Sequence, residues 1–187
     1  MARFFTLFAA AAAAVAASPA VAQGGVQVIG GSLARSCYLA AEGKASPSAA
    51  DFRTCEVALT SGQTSASDLV ATYVNRGILF LRSGQIEAAV ADFDRATALD
   101  PGQPEAYLNR GSALLKRAEA RAAVTMFDQA LQKRTSRPEL AYYARAVAHE
   151  ELGNIRAAHG DYVRASQLAP KWDAPRLELT RFRVGNR

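Results

Sequence analysis

YVNRG, Tyr73–Gly77, returns 34 residues later as YLNRG, Tyr107–Gly111, and an altered copy, YYARA, Tyr142–Ala146, follows 35 residues after that. Each copy brings further positions with it. Tyr73, Arg76, Gly77 and Phe80 are followed by Ala89, Phe93, Ala96 and Pro101. Tyr107, Arg110, Gly111 and Leu114 are followed by Ala123, Phe127 and Ala130, and Tyr142, Arg145, Ala146 and His149 by Ala158, Tyr162, Ala165 and Pro170. Steps of three and four residues mark one face of a helix. Small residues midway along two successive helices let the pair approach closely. Gly84 and Gly153 stand between the two halves of their copies, where a left-handed residue ends a helix. The period therefore reads as a helix-turn-helix unit stacked on copies of itself.

These residues resemble the tetratricopeptide repeat, whose 34-residue helical hairpin carries an aromatic, a small residue, a second aromatic, an alanine, a third aromatic and a closing proline. The resemblance covers Val70 to Pro170. It departs where Arg replaces the usual leucine before the small residue, at Ala146 and His149, and in the second copy's missing proline. It implies an all-α, right-handed solenoid of antiparallel helix pairs, with repeats at about 70–103, 104–138 and 139–172.

The chain has 187 residues, with 22 Lys and Arg against 17 Asp and Glu, a formal charge of +5. These charges are scattered, so the surface is mildly basic and carries no nucleic-acid stripe. Residues 1–22 read as a secretory signal peptide: Arg3, an apolar stretch from Phe4 to Ala17, and a small-x-small site at Ala20–Ala22. Retention as an uncleaved anchor is the alternative. Cleavage leaves no integral membrane span and points to an exported bacterial protein, periplasmic or secreted. Residues 23–32, rich in Gly and Gln, read as a tail.

Residues 33–64 read as a degenerate first hairpin. Its turn, Lys44–Ser48, offers Ser46 or Ser48 as the cap of the second helix. Ser65 with Asp68 resembles a capping box for the next helix, as does Ser136 with Glu139 for the third repeat. Cys37 and Cys55 lie nine residues either side of Ser46, so an antiparallel hairpin sets them face to face. In an exported chain such a pair forms a disulfide. Residues 173–187 read as a closing helix capped by Asp173, with Leu177, Leu179 and Phe182 buried, and a tail made basic by Arg176, Arg181, Arg183 and Arg187. A solenoid end needs such a cover.

No phosphate loop, nucleophile elbow or zinc-protease motif is present, and no enzyme or cofactor is expected. His149 and His159, five residues either side of Asn154, are the candidates for a ligand- or metal-binding alternative, but a metal site needs three or four convergent ligands. The resemblance implies instead a scaffold that holds a peptide or helix against the first helices of the repeats. By matched position the groove would include Val74, Asn75, Ile78, Arg82, Leu108, Asn109, Ser112, Lys116, Tyr143 and Val147. Within Asn-Arg-Gly, glycine serves packing, and arginine pairs with Asp92, Asp94, Asp128 or Asp161. Asn75 and Asn109 either face a ligand or bond within the array. The basic C-terminal helix offers a further contact, with an acidic partner or anionic lipid headgroups.

Overall fold

The computed structural model describes residues 32–182, and the expected signal peptide, most of the tail, Arg183 and Arg187 lie outside them. The described residues form α1 (Ser32–Glu42), α2 (Ala49–Thr60), α3 (Ala66–Arg82), α4 (Ile86–Leu99), α5 (Pro104–Lys116), α6 (Ala120–Gln132), α7 (Pro138–Glu151), α8 (Ile155–Leu168) and α9 (Asp173–Arg181). Helices pack as successive pairs, α1 with α2, α3 with α4, α5 with α6 and α7 with α8, and each pair stacks on the next. The result is an all-α solenoid of antiparallel helix pairs, closed by α9 against α8. No described helix is long and apolar enough to cross a membrane.

Local chemistry sets the helix ends. Ser48, not Ser46, caps α2, with a reciprocal capping box to Asp51. The Ser48 backbone N–H and hydroxyl both donate to the Asp51 carboxylate and hold its pKa below the usual value. Ser65 caps α3 by accepting from the Asp68 amide at 3.1 Å. The three first helices of the repeats share one ending. In each, two backbone N–H groups fold back in the Schellman pattern: Gly84 and Gln85 to Leu81 and Phe80, Ala118 and Glu119 to Leu115 and Leu114, Gly153 and Asn154 to Glu150 and His149. The left-handed residue is Gly84 (φ 79°) or Gly153 (φ 73°), but in the middle repeat it is Ala118 (φ 59°).

Two end caps differ from the sequence expectation. Ser136 does not cap α7: its N–H and hydroxyl donate to Glu105 Oε1 on α5 at 2.9 and 2.8 Å, and Thr135 joins them. Glu105 is a nearby acceptor that ties the loop down, and Arg137 occupies the cap position without a side-chain capping bond. Likewise Trp172, not Asp173, is the α9 cap, and Asp173 instead pairs with Arg176 one turn on. Leu177 is 65% exposed, while Leu179 and Phe182 do pack on the last repeat, beside a buried Pro175.

The core follows the period. Phe93 and Phe127 are fully buried beneath Gly77 and Gly111, where a Cβ would fall 2.5 and 2.6 Å from ring carbons. In the third repeat Ala146 shares its core with Tyr162. Ala89, Ala123 and Ala158 are fully buried on the second helices.

Candidate interaction groove

The first helices of the repeats, α3, α5 and α7, carry all ten expected groove residues. The structure sorts these into three groups. Val74, Asn75, Ile78, Leu108 and Asn109 have no exposed surface, and Ser112 and Tyr143 retain only 4% and 5%. Val74 and Ile78 belong to a core that also holds Cys37 and Ala41 of α1 and Ala106 and Ala113 of α5. Asn109 Nδ2 donates to the Glu105 carbonyl at 2.8 Å and Ser112 Oγ to the Leu108 carbonyl at 3.2 Å, one turn back on α5. Thr72, not anticipated from the sequence, adds a fully buried hydroxyl that donates to the Asp68 carbonyl at 2.6 Å. The inner wall is thus apolar with a line of polar side chains set into it.

Arg82, Val147 and Lys116 form the second group, half-buried or exposed. Arg82 is a brace: its guanidinium donates to the Ala40, Ala41 and Ala45 carbonyls at the end of α1. A cation there also offsets the negative end of the helix dipole. With Lys44 and Lys116 it lines a polar cleft of about 270 Å³. Tyr143 stands apart as the third group. Its ring lies 4.8 Å from Trp172 and 5.4 Å from Tyr162, and its hydroxyl donates to Glu178 of α9 at 3.4 Å. Burial, aided by Glu178, pushes its phenol up to about 12.

Around Tyr143 a network joins α9 to α7 and α8. Tyr162 donates to Glu150 at 2.8 Å, Arg181 donates to the same carboxylate at 2.8 and 3.1 Å, and Arg181 also pairs with Glu178. Burial first, then this carboxylate, raises the Tyr162 pKa as well. Nothing in the sequence period signals the network, because it joins residues of different copies through the non-repeating α9.

The arginines behave as expected of them. Arg76 grips Asp92 on α4 through two bonds of 2.7 Å. Arg145 grips Asp161 on α8 through two of 2.8 Å and reaches back to Asp128 on α6 at 2.5 Å. Arg110 finds Met126 where the other copies have aspartate, and pairs with Asp94 of the preceding repeat at 2.6 Å. These carboxylates raise the pKa of Arg76 and of Arg145, so both stay charged.

A disulfide joins Cys37 and Cys55 (S–S 2.05 Å) across the α1–α2 hairpin, fully buried. The two histidines are engaged separately: His149 Nδ1 lies 3.4 Å from the Asn154 amide, and the His159 ring packs edge-on against Phe182. Among the described residues no three His, Cys, Asp or Glu side chains gather as a metal site. The sequence also gave no sign of a cleft of about 740 Å³ at the turn edge, between Ala118–Ala122 and Glu151–Leu152, where burial raises the Glu151 pKa.

Residues 77–117 match the family model described as TPR repeat. No curated protein matches the sequence. Among solved structures, the first TPR of Spaghetti (RPAP3) bound to the HSP90 peptide SRMEEVD aligns with 62% of this chain and 90% of its own, at 23% identity and TM-score 0.59. MamA aligns with 69% of this chain and 72% of its own, at 20% identity and TM-score 0.60. The MamA RS-1 ArsTM double mutant aligns with 73% and 75%, at 19% identity and TM-score 0.62. At these identities the likeness is one of fold. With the matched repeat at its centre and the same helix pairs continued on both sides, the described chain has the fold of a tetratricopeptide-repeat solenoid.

Proposed function

We propose that this chain is a non-enzymatic interaction scaffold of the bacterial cell envelope, exported by its N-terminal signal and holding a peptide or helix along the inner wall of α3, α5 and α7. The observation that carries the reading is the composition of that wall. Asn75 and Asn109 sit one repeat apart, flanked by Val74, Ile78 and Leu108. An amide both donates and accepts, but both amides are fully buried in the single chain, so they can follow an extended backbone only where a partner opens the wall around them. A related fold holding an HSP90 peptide supports the class of partner. The chemistry of the partner differs, because Val74 and Ile78 stand where a carboxylate-holding wall needs Lys and Asn. An apolar segment suits this wall better than the acidic end of SRMEEVD. Lys116 at the edge, and Arg176 and Arg181 on α9, favour acidic flanks or anionic headgroups as secondary contacts.

Affinity capture from envelope extracts, with the natural chain and an Asn75→Ala/Asn109→Ala variant as baits, tests the reading. The captured partner should bind the variant more weakly by about 1–3 kcal/mol, the range for losing buried hydrogen bonds. Equal binding by both baits would refute the role of the wall.

A further inference from the structure

We propose that the cleft at the turn edge, between the α5–α6 turn and the end of α7, is a second binding site. Its ligand is a small aliphatic ammonium compound, with the charge on Glu151 and the chain along Ala118, Ala120, Ala122 and Leu152. The site is separate from the inner wall, because none of its lining residues is among the ten assigned to the groove. Its volume of about 740 Å³ falls within the range of small-molecule sites, roughly 300–1,000 Å³. Such sites join an apolar lining to a few polar groups that fix orientation, and this cleft has that composition.

The sign of the ligand's charge follows from three lining residues, Glu119, Arg121 and Glu151. Two carboxylates against one guanidinium leave the lining net negative, in a chain whose formal charge is +5. Glu119 is already paired with Arg117 at 2.6 Å. Glu150 is bonded to Tyr162 and Arg181, but among the described residues no cation pairs with its neighbour Glu151. Glu151 also closes α7, and the terminal carbonyls of a helix form the negative end of its dipole. A carboxylate is unfavourable there and a cation favourable. Burial raises the Glu151 pKa, so its desolvation is not offset by any charge of the chain. A bound ammonium group would offset both the desolvation and the dipole.

Ala118 supplies an independent observation. The same turn position in the other repeats is Gly84 or Gly153, which adopt the left-handed conformation freely, whereas Ala118 holds φ 59° against the steric cost to an L-residue. Backbone held in a sparsely populated region gathers at ligand sites. Of the three turns, the strained one is the one that lines the cleft. Glycine at 118 would relieve the strain and remove the only side-chain carbon that this residue offers to an alkyl chain.

The test titrates the natural chain, Glu151→Gln and Ala118→Gly with hexylamine, hexanol and hexanoate, while backbone amide NMR shifts report where each binds. Hexylamine should shift the signals of residues 118–122 and 151–152 saturably. Hexanol and hexanoate should bind the natural chain about tenfold or more weakly. Glu151→Gln should weaken hexylamine about tenfold or more and leave hexanol unchanged, because only the charged bond is lost. Ala118→Gly should melt higher yet bind hexylamine about fourfold more weakly, the loss of one buried methyl. Equal binding of hexylamine and hexanol, or equal binding of hexylamine by the natural chain and a folded Glu151→Gln variant, overturns the proposal. Tighter binding of hexanoate also overturns it, assigning the cleft to an anion on Arg121. Unchanged affinity in Ala118→Gly overturns the apolar floor, and hexylamine shifts centred on Val74, Ile78 and Leu108 move the amine to the groove and overturn the separate site. Binding of Nα-acetyl-lysine amide about tenfold more tightly than hexylamine assigns the cleft to a partner's lysine and overturns the small-molecule ligand.

Discussion

Replacing Gly111 with alanine should destabilise the protein, while the same exchange at Gly160 should stabilise it. Both glycines lie inside helices, α5 and α8, so both exchanges gain about 0.8–1.0 kcal/mol of helix propensity. They differ in what the new methyl meets. At Gly160 nothing lies within 4 Å. At Gly111 the Cβ would sit 2.6, 2.8 and 2.9 Å from three carbons of the Phe127 ring. Carbon atoms pack favourably at about 3.5–4.0 Å, so close to an ångström must be found. The ring has no exposed surface and lies in a core with Leu108, Ala123, Ala130 and Ala144. Overpacking of this kind costs about 1–3 kcal/mol. The expected difference between the two variants is therefore about 1–3 kcal/mol, with Gly111→Ala the less stable. Urea unfolding with the disulfide intact measures it, provided the slopes agree. The third repeat sharpens the comparison, because Ala146 coexists there with Tyr162, whose hydroxyl is anchored to Glu150. A methyl is tolerable when the whole hairpin is spaced for it, which a single substitution cannot arrange. If Gly111→Ala gains as much as Gly160→Ala, the glycine is not the contact that sets the helix crossing.

Other outcomes follow from the same geometry. Ala118→Gly should stabilise by up to about 1 kcal/mol, since the left-handed conformation costs an L-residue about 1–2 kcal/mol and glycine's extra chain entropy returns part of it; urea midpoints decide it. Reducing Cys37–Cys55, or replacing both with alanine, should cost about 3 kcal/mol by the loop-entropy model, and alkylation of the native protein should find neither thiol. Arg145→Met should cost more than Arg110→Met, because it strands Asp161, which is 11% exposed, whereas the Asp94 partner of Arg110 is 50% exposed and rehydrates. Alkali should loosen the closing helix. The folded state holds the Tyr143 proton up to about 12 against an ordinary 10, so this contribution is complete below pH 10 and is lost as pH rises toward 12. Melting followed at rising pH should fall less steeply in Tyr143→Phe than in the natural chain.

The period was legible because it records contacts made in the same way three times. Gly77 with Phe93, Gly111 with Phe127 and Arg76 with Asp92 each appear in the sequence as a fixed offset between residue types. The hairpin disulfide was legible for a simpler reason, symmetry about a turn. What escaped is the chemistry that occurs once. Glu105 takes Ser136 away from its capping role because a loop one residue longer than its counterparts brings Thr135 and Ser136 over α5. No local pattern encodes that meeting. The same holds for Glu150, Arg181 and Glu178 at the closing helix, and for Leu177, which α9 leaves exposed. Ala118 was hidden by the opposite effect: a residue without the usual glycine mark adopts the glycine conformation because the flanking Schellman bonds of the array impose it.

The pentad YVNRG shows why a repeat can be at once structural and functional. Consecutive helical residues point about 100° apart, so Asn75, Arg76 and Gly77 address three different surroundings. Gly77 admits the Phe93 ring of its own hairpin. Arg76 crosses to Asp92 on α4, and its guanidinium lies 5.8 and 5.6 Å from the Tyr73 and Phe80 rings. Asn75 is fully buried on the same helix. The second copy keeps asparagine, arginine and glycine but has Met126 where the first has Asp92, and the third keeps the arginine and its aspartate, Asp161, with Ala144 in place of asparagine and Ala146 in place of glycine. Arginine thus persists in all three copies, while asparagine and glycine are lost together in the third. Their surroundings separate their roles, because glycine admits a ring and arginine grips a carboxylate, and neither contact involves the amide. Substitutions at Asn75 and Asn109 test recognition by the wall, whereas changes at Arg76 or Gly77 test only the stacking of the helices behind it.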